Sequence, residues 1–99
     1  MSLGPFRVGE QPSDTLDLVI SRKDDDAPLS GFVAAEVQMR RPDGTTTTWT
    51  GSLIQPNIVR ASWPANPFAQ PGLTKVRAKL TGGSAVEYAS WVRFWVRPA

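Results

Sequence analysis

The stretch VAAEVQMRRPDGTTTTW, residues 33–49, decides the fold. Its first half alternates apolar and polar residues, with the period of a β-strand that has one buried face, and places inward Val33, Ala35, Val37 and Met39. Pro42-Asp43-Gly44 favours a three-residue turn, because proline presets φ, aspartate caps the turn and glycine accepts positive φ. This turn pairs Arg41 with Thr45 and sets Val37 opposite Trp49. The alternation and the turn chemistry agree, so the stretch predicts an antiparallel hairpin.

On the N-terminal side, the segment from Asp14 to Ser21 repeats the same period. Leu16, Leu18 and Ile20 are predicted inward, and the residues between them outward. Phe6 to Val8 favours a short first strand. The charged run from Arg22 to Asp26 interrupts the pattern and predicts a loop.

On the C-terminal side, residues 45–50, 51–55 and 58–63 favour three further strands. A proline-rich connection from Trp63 to Gly72 follows, with Phe68 as its large apolar anchor. Residues 73–80 and 85–96 predict the last two strands. A three-residue loop, Gly82-Gly83-Ser84, is expected to join them. In that register the opposed pairs are Leu80 with Val86, Ala78 with Tyr88, and Lys79 with Glu87, and the inward set is Val76, Ala78, Leu80, Val86, Tyr88, Val92, Phe94 and Val96.

About seven short antiparallel strands, without a helical pattern, predict an all-β domain. A β-sandwich of two sheets is the expected architecture, and a small β-barrel is the alternative. The length fits one domain over residues 1–99, with residues 1–5 expected to be disordered or left over from cloning. The core is predicted to contain Leu18, Ile20, Val37, Trp49, Val76, Leu80, Val92 and Phe94.

Composition argues against several classes of protein. The chain has no cysteine and no histidine, which removes disulfides, thiolate metal sites and the commonest general base. A formal net charge of +2 is too small to predict nucleic-acid binding. The sequence shows no apolar stretch long enough for a membrane span and no signal peptide.

Asp24-Asp25-Asp26 is the one cluster of carboxylates in the sequence. It has the oxygen chemistry of a calcium site but not the spacing of an EF-hand, and the neighbouring Arg22 and Lys23 favour a solvated loop. No nucleophile–base pair and no phosphate-binding glycine loop are found. We therefore predict no catalytic residue, cofactor or metal, and no enzymatic activity.

The tryptophans give the sharpest functional hypothesis. Trp49 and Trp63 fall at inward positions, whereas Trp91 and Trp95 are predicted outward beside Arg93 and Arg97. Lys75 is expected opposite Trp91, where its ammonium would rest on the indole ring. Exposed tryptophan beside arginine is typical of a protein interface. The alternatives are cover by the chain's own N-terminal segment with Phe6, and nucleic acid or glycan binding by stacking.

The order of these motifs resembles the N-terminal immunoglobulin-like domain of phage upper baseplate proteins and related tail-associated modules. The motifs are, in order, residues 16–20, Pro28-Leu29-Ser30-Gly31, residues 33–39, Arg41-Pro42-Asp43-Gly44 and Pro71-Gly72. They span most of the chain, from Val8 to Val96. The resemblance implies an immunoglobulin-like β-sandwich in a phage or prophage virion, as a tail, neck or baseplate component. It also implies location in the virion, or in the host cytoplasm during assembly.

These features are compatible with two functions. The first is a structural module that binds other virion proteins, or itself, through the face with Trp91 and Trp95. The second is a carbohydrate- or other ligand-binding module, because two outward tryptophans four residues apart lie about 13 Å from each other along a strand. Arginine beside the indoles favours the protein partner.

Overall fold

The computed structural model describes residues 4–20, 31–54 and 57–99. This part of the chain contains β-strands and no α-helix, so it offers no helix long and apolar enough to cross a membrane. The all-β prediction is therefore confirmed. The strands are β1 (Phe6–Arg7), β2 (Leu16–Val19), β3 (Ala34–Arg40), β4 (Thr46–Ile54), β5 (Ile58–Ala61), β6 (Gly72–Gly82), β7 (Ala85–Tyr88) and β8 (Val92–Arg97).

The strands form one curled, mixed sheet shaped as a half-barrel. Hydrogen bonding runs in the order β1-β8-β6-β3-β4-β5-β2, and β7 pairs with β6 beside β8. The expectation of antiparallel strands throughout is wrong at one edge, where β1 runs parallel to β8 with Phe6 opposite Val96.

The β3–β4 hairpin has the predicted register. Val37 lies opposite Trp49, and the Arg41 amide donates to the Thr45 carbonyl at 2.9 Å. Gly44 has a φ of 90°, which a side chain rarely tolerates. The Asp43 carboxylate accepts hydrogen bonds from the Thr45 amide at 2.9 Å and from the Thr45 hydroxyl at 2.6 Å. The turn therefore combines a left-handed glycine with an aspartate cap.

β4 is a single strand where the sequence predicted two, over residues 45–50 and 51–55. Its residues up to Gly51 pair with β3, and those from Ser52 onward pair with β5. A Cβ at Gly51 would lie 3.0 Å from the Val59 side chain, so the two halves of the curled sheet approach each other closely at this point. The glycine thus lets a single strand pass from one half of the sheet to the other.

The predicted register of the β6–β7 hairpin is wrong. Two residues, Gly83 and Ser84, form the turn, so Thr81 lies opposite Val86 and Lys79 opposite Tyr88. Gly83 has a φ of 58°, the sign that the first central position of a type II′ turn requires. Val86 and Tyr88, predicted to be core residues, therefore point outward and are both about half exposed.

A bulge restores the inward placement of the last strand. Lys79 pairs with Tyr88, but Val76 pairs with Val92, so the β7–β8 side contains one residue more than β6. This extra residue exchanges the two faces, and it divides the predicted strand over residues 85–96 into β7 and β8. Phe94 and Val96 are buried as predicted. Lys75, in consequence, lies opposite Arg93 and not opposite Trp91.

The core occupies the concave side of the sheet. The predicted residues Leu18, Ile20, Val37, Val76, Leu80 and Phe94 are buried, whereas Trp49 and Val92 are partly buried against them. Val33, predicted inward, is 79% exposed because β3 begins after it and Phe32 takes the buried position. Phe68, the predicted anchor of the proline-rich connection, stacks on Phe6 at 4.4 Å between ring centroids.

Candidate protein-interaction face

The convex side of the sheet, formed by β1, β3, β4, β6, β7 and β8, is called here the outer face. Strand β8 places Arg93, Trp95 and Arg97 on it, because Phe94 and Val96 between them are buried in the core. Trp95 is 61% exposed. Leu73 of β6 lies opposite Trp95 and is also exposed, so the two form an apolar patch at one end of the outer face.

An arginine binds two aromatic rings near the middle of the outer face. The Arg77 guanidinium carbon lies 4.2 Å from the ring centroid of Tyr88 and 4.3 Å from that of Trp91. Arg77 Nε also donates to the Gln38 side-chain oxygen at 2.8 Å. The Lys75 ammonium lies 5.7 Å from the Trp91 centroid, so the expected contact forms although the two residues are not opposed. Trp91 is therefore partly covered, unlike Trp95.

Positive charge dominates the outer face. The chain has eleven lysines and arginines. Strand register and alternation place on this face Arg7, Arg40, Lys75, Arg77, Lys79, Arg93 and Arg97. Glu36 is the one acidic residue among the outward positions of the described strands here, and its carboxylate lies 3.8 Å from the Lys79 ammonium. The face is thus far more basic than the whole chain.

A groove of about 450 Å³ lies where the N-terminal segment meets β8. Gly4, Pro5, Arg93, Trp95 and Arg97 line it on the solvent side. Phe6 covers neither Trp91 nor Trp95. Its ring points to the concave side, in edge-to-face contact with Trp63 and Phe94 at 5.4 Å from each. Among the described residues, the segment before Phe6 therefore borders Trp95 and leaves it exposed.

A second groove, of about 440 Å³, lies where β4 changes its pairing partner from β3 to β5. Trp49 and Trp63 flank it, and hydroxyl groups of Thr15, Thr50, Ser52 and Ser62 belong to its lining residues. Arg60 donates from Nε to the Asp17 carboxylate at 2.9 Å beside it. This hydrogen bond, more than any other cause, lowers the pKa of Asp17.

The largest pKa shift lies at the β3–β4 turn and not at either groove. Hydrogen bonds from the Thr45 hydroxyl, from Gln70 and from the Thr45 amide lower the pKa of Asp43 to about 2. An acceptor this stable as an anion acts as a cap, not as a base near neutral pH. In the described part of the chain, no group of three or more acidic residues is placed to hold a metal. Asp24, Asp25 and Asp26 lie outside the described residues.

The structure brings all five predicted interface residues, Lys75, Trp91, Arg93, Trp95 and Arg97, onto one face. It adds Arg77 and Tyr88, which the sequence interpretation missed. Arg77 lies between the buried Val76 and Ala78, so the alternating pattern could have predicted its outward position. The outward position of Tyr88 could not be predicted in this way, because it depends on the bulge. No protein-family model, curated protein or solved structure matches the chain.

Proposed function

We propose that this chain is a non-enzymatic structural module that binds another protein chain through the outer face. Within the proposal it is a component of a phage or prophage virion, in the tail, neck or baseplate. It resides in the virion, or in the host cytoplasm during assembly, and its fold is a variant of the immunoglobulin-like β-sandwich in which β4 belongs to both sheets. The partner is another virion protein or a second copy of the chain.

The exposed indole of Trp95 is the observation that carries the proposal. A tryptophan that is 61% exposed, next to exposed Leu73, is unfavourable in water unless another surface covers it. Arg93 and Arg97 flank the ring on the same strand, and guanidinium groups can both stack on indole and pair with carboxylates. Such a combination is typical of interface hot spots.

The test uses analytical ultracentrifugation to measure whether the purified chain self-associates. It also measures whether the chain binds each structural protein that is encoded by a gene adjacent to its own. Burial of one large apolar side chain contributes about 1.5–3 kcal/mol, so Trp95→Ser is expected to weaken the complex roughly 10- to 100-fold. Val86→Ser is the matched control, because Val86 is exposed on β7, at a distance from Trp95 along the outer face. Equal weakening by both variants, or no association of the wild type, would contradict the proposal.

A second candidate function, saccharide binding, is favoured by the groove at Trp49 and Trp63. Indole rings beside several hydroxyl groups and an ion pair can stack on a sugar ring and hydrogen-bond to its edge. A glycan array separates the two functions. Saccharide binding that Ser52→Ala weakens and Trp95→Ser leaves intact would favour this second candidate. Absence of binding on the array would reject it.

A further inference from the structure

Three cations lie side by side on neighbouring strands of the outer face, next to the apolar patch formed by Trp95 and Leu73. Arg40 of β3 is opposite Lys75 of β6, and Lys75 is opposite Arg93 of β8. Adjacent strands are about 4.8 Å apart, so the row spans roughly 10 Å. Like charges placed directly opposite each other destabilise a sheet. In the described part of the chain, neither Arg40 nor Arg93 forms an ion pair, so the row does not stabilise the isolated fold.

The same arrangement recurs at the edge of the sheet. Arg7 of β1 lies opposite Arg97 of β8, beside the exposed ring of Trp95. Cations therefore lie on both sides of the apolar patch formed by Trp95 and Leu73. Two clusters of like charge, separated by an apolar surface, match a ligand with negative charge at both ends and an apolar residue between them.

We propose that the outer face binds an extended acidic segment of a partner protein. This inference rests on the proposed function and specifies the partner's chemistry. Carboxylates of the segment pair with the row of Arg40, Lys75 and Arg93 and with the pair of Arg7 and Arg97. An apolar side chain of the segment packs on Trp95 and Leu73. Charge complementarity would steer the encounter and make the affinity fall with salt.

Two other occupants fit the face less well. A single-stranded nucleic acid binds by stacking successive bases on free aromatic rings. Here the Arg77 guanidinium already lies against both Tyr88 and Trp91, which leaves Trp95 as the exposed ring. A second copy of the chain, docked through the same face, would bring the two sets of cations together, and their repulsion opposes that dimer.

The experiment uses fluorescein-labelled peptides of eleven residues and fluorescence anisotropy. One peptide has five glutamates on each side of a central leucine, a second has glycine in place of the leucine, and a third replaces every glutamate with glutamine. The wild-type chain should bind the leucine peptide most tightly, the glycine peptide severalfold more weakly, and the glutamine peptide not at all. Raising NaCl from 50 to 200 mM should weaken binding by about tenfold or more. The preference for leucine should disappear in Trp95→Ser.

Two double variants with the same change of net charge separate the outer face from overall charge. Lys75→Gln with Arg93→Gln removes two cations from the row, and Arg41→Gln with Arg60→Gln removes two cations elsewhere. The double variant in the row should weaken peptide binding at least tenfold, and the control double variant less than twofold. Circular dichroism should show that both variants are folded. Equal effects, no binding at 50 mM NaCl, or tenfold tighter binding of a twenty-residue oligothymidylate would overturn the inference.

The outcome also distinguishes this inference from the proposed function. If a virion protein binds in a Trp95-dependent manner but the acidic peptides do not, the interface stands and the assignment of an acidic partner is wrong. If neither a protein partner nor self-association is found, the proposed function fails, whatever the peptides do.

Discussion

The two sides of β6 show how this small domain separates stability from recognition. On the concave side, Thr74, Val76, Ala78 and Leu80 are essentially inaccessible to water. On the convex side, alternating with them, lie Lys75, Arg77 and Lys79. One strand thus contributes at every second residue to the core and at the others to a basic surface. Substitutions on the two sides should therefore have different consequences, which can be measured separately.

The largest effect is expected on the concave side. Leu80 is 1% exposed, and Leu80→Ala should lower the free energy of unfolding by about 2–5 kcal/mol, because it removes buried methyl groups and leaves a cavity. Lys79→Ala, one residue away on the convex side, should cost less than about 1 kcal/mol. Urea denaturation of both variants measures the difference. Similar losses from the two changes would show that the face assignment is wrong.

A smaller effect is expected at Gly82, where the concave side of β6 ends. A Cβ on this residue would lie 2.3 Å from the Gly31 carbonyl oxygen and 2.9 Å from the Phe32 Cα, and both are backbone atoms. Gly82→Ala should therefore destabilise the domain by about 1–3 kcal/mol through steric overlap. Gly31→Ala is the matched control, because no atom lies within 4 Å of its added Cβ. If thermal unfolding shows equal effects, the close approach of the two segments is disproved.

The two hairpins show which parts of the fold the sequence could predict. In the β3–β4 turn, proline, aspartate and glycine each have one suitable place, and the alternation of both strands agrees with it. In the β6–β7 turn, Gly82 and Gly83 are adjacent and equally able to take positive φ, so turn chemistry does not choose between registers. Positive φ at one of them was predicted correctly, but the register was not.

The bulge before β8 explains the errors in the last predicted strand. An alternating pattern predicts the faces correctly only if each residue of one strand pairs with one residue of the other. One extra residue between Tyr88 and Val92 therefore puts the side chains before it on the opposite face from the one that alternation predicts from β8. Tyr88 was therefore predicted inward. Trp95 was predicted outward because Val92, Phe94 and Val96 fix the face of β8 locally. The basic character of the outer face could not be predicted without the order of the strands. That order brings Arg40 and Arg7 into register with cations that are distant in sequence.

The contact of Arg77 with Tyr88 should contribute a modest amount on the convex side. A guanidinium on an aromatic ring at a partly exposed site contributes about 0.5–1 kcal/mol. A double-mutant cycle of Arg77→Gln and Tyr88→Leu, measured by urea denaturation, should give a coupling energy of this size. The cycle of Arg77→Gln with Val86→Ala is the control and should be additive. A coupling near zero in both cycles would contradict the stacked geometry.

The smallest effect is expected from Asp43, which belongs to neither side of the sheet. Its pKa is lowered from 3.8 to about 2, because the folded chain donates hydrogen bonds to its carboxylate. The depressed pKa means that the folded state binds this proton less readily than the unfolded state. The stabilisation by Asp43 is therefore complete above about pH 5, beyond the unfolded pKa of 3.8, and is lost as the pH falls toward 2. Asp43→Asn keeps an oxygen acceptor at this position but removes the titration.

The difference in melting temperature between the wild type and Asp43→Asn should accordingly be constant above pH 5 and should shrink between pH 4 and pH 2. Solvent surrounds this carboxylate, so the change should be smaller than that for any substitution on the concave side. Salt should reduce it little, because short hydrogen bonds from Thr45 and Gln70 act on the carboxylate more strongly than the charge of Arg41. Parallel melting curves down to pH 2 would show that Asp43 is not held as an anion by the turn. A difference that disappears in 0.5 M NaCl at neutral pH would assign the stabilisation to Arg41 instead.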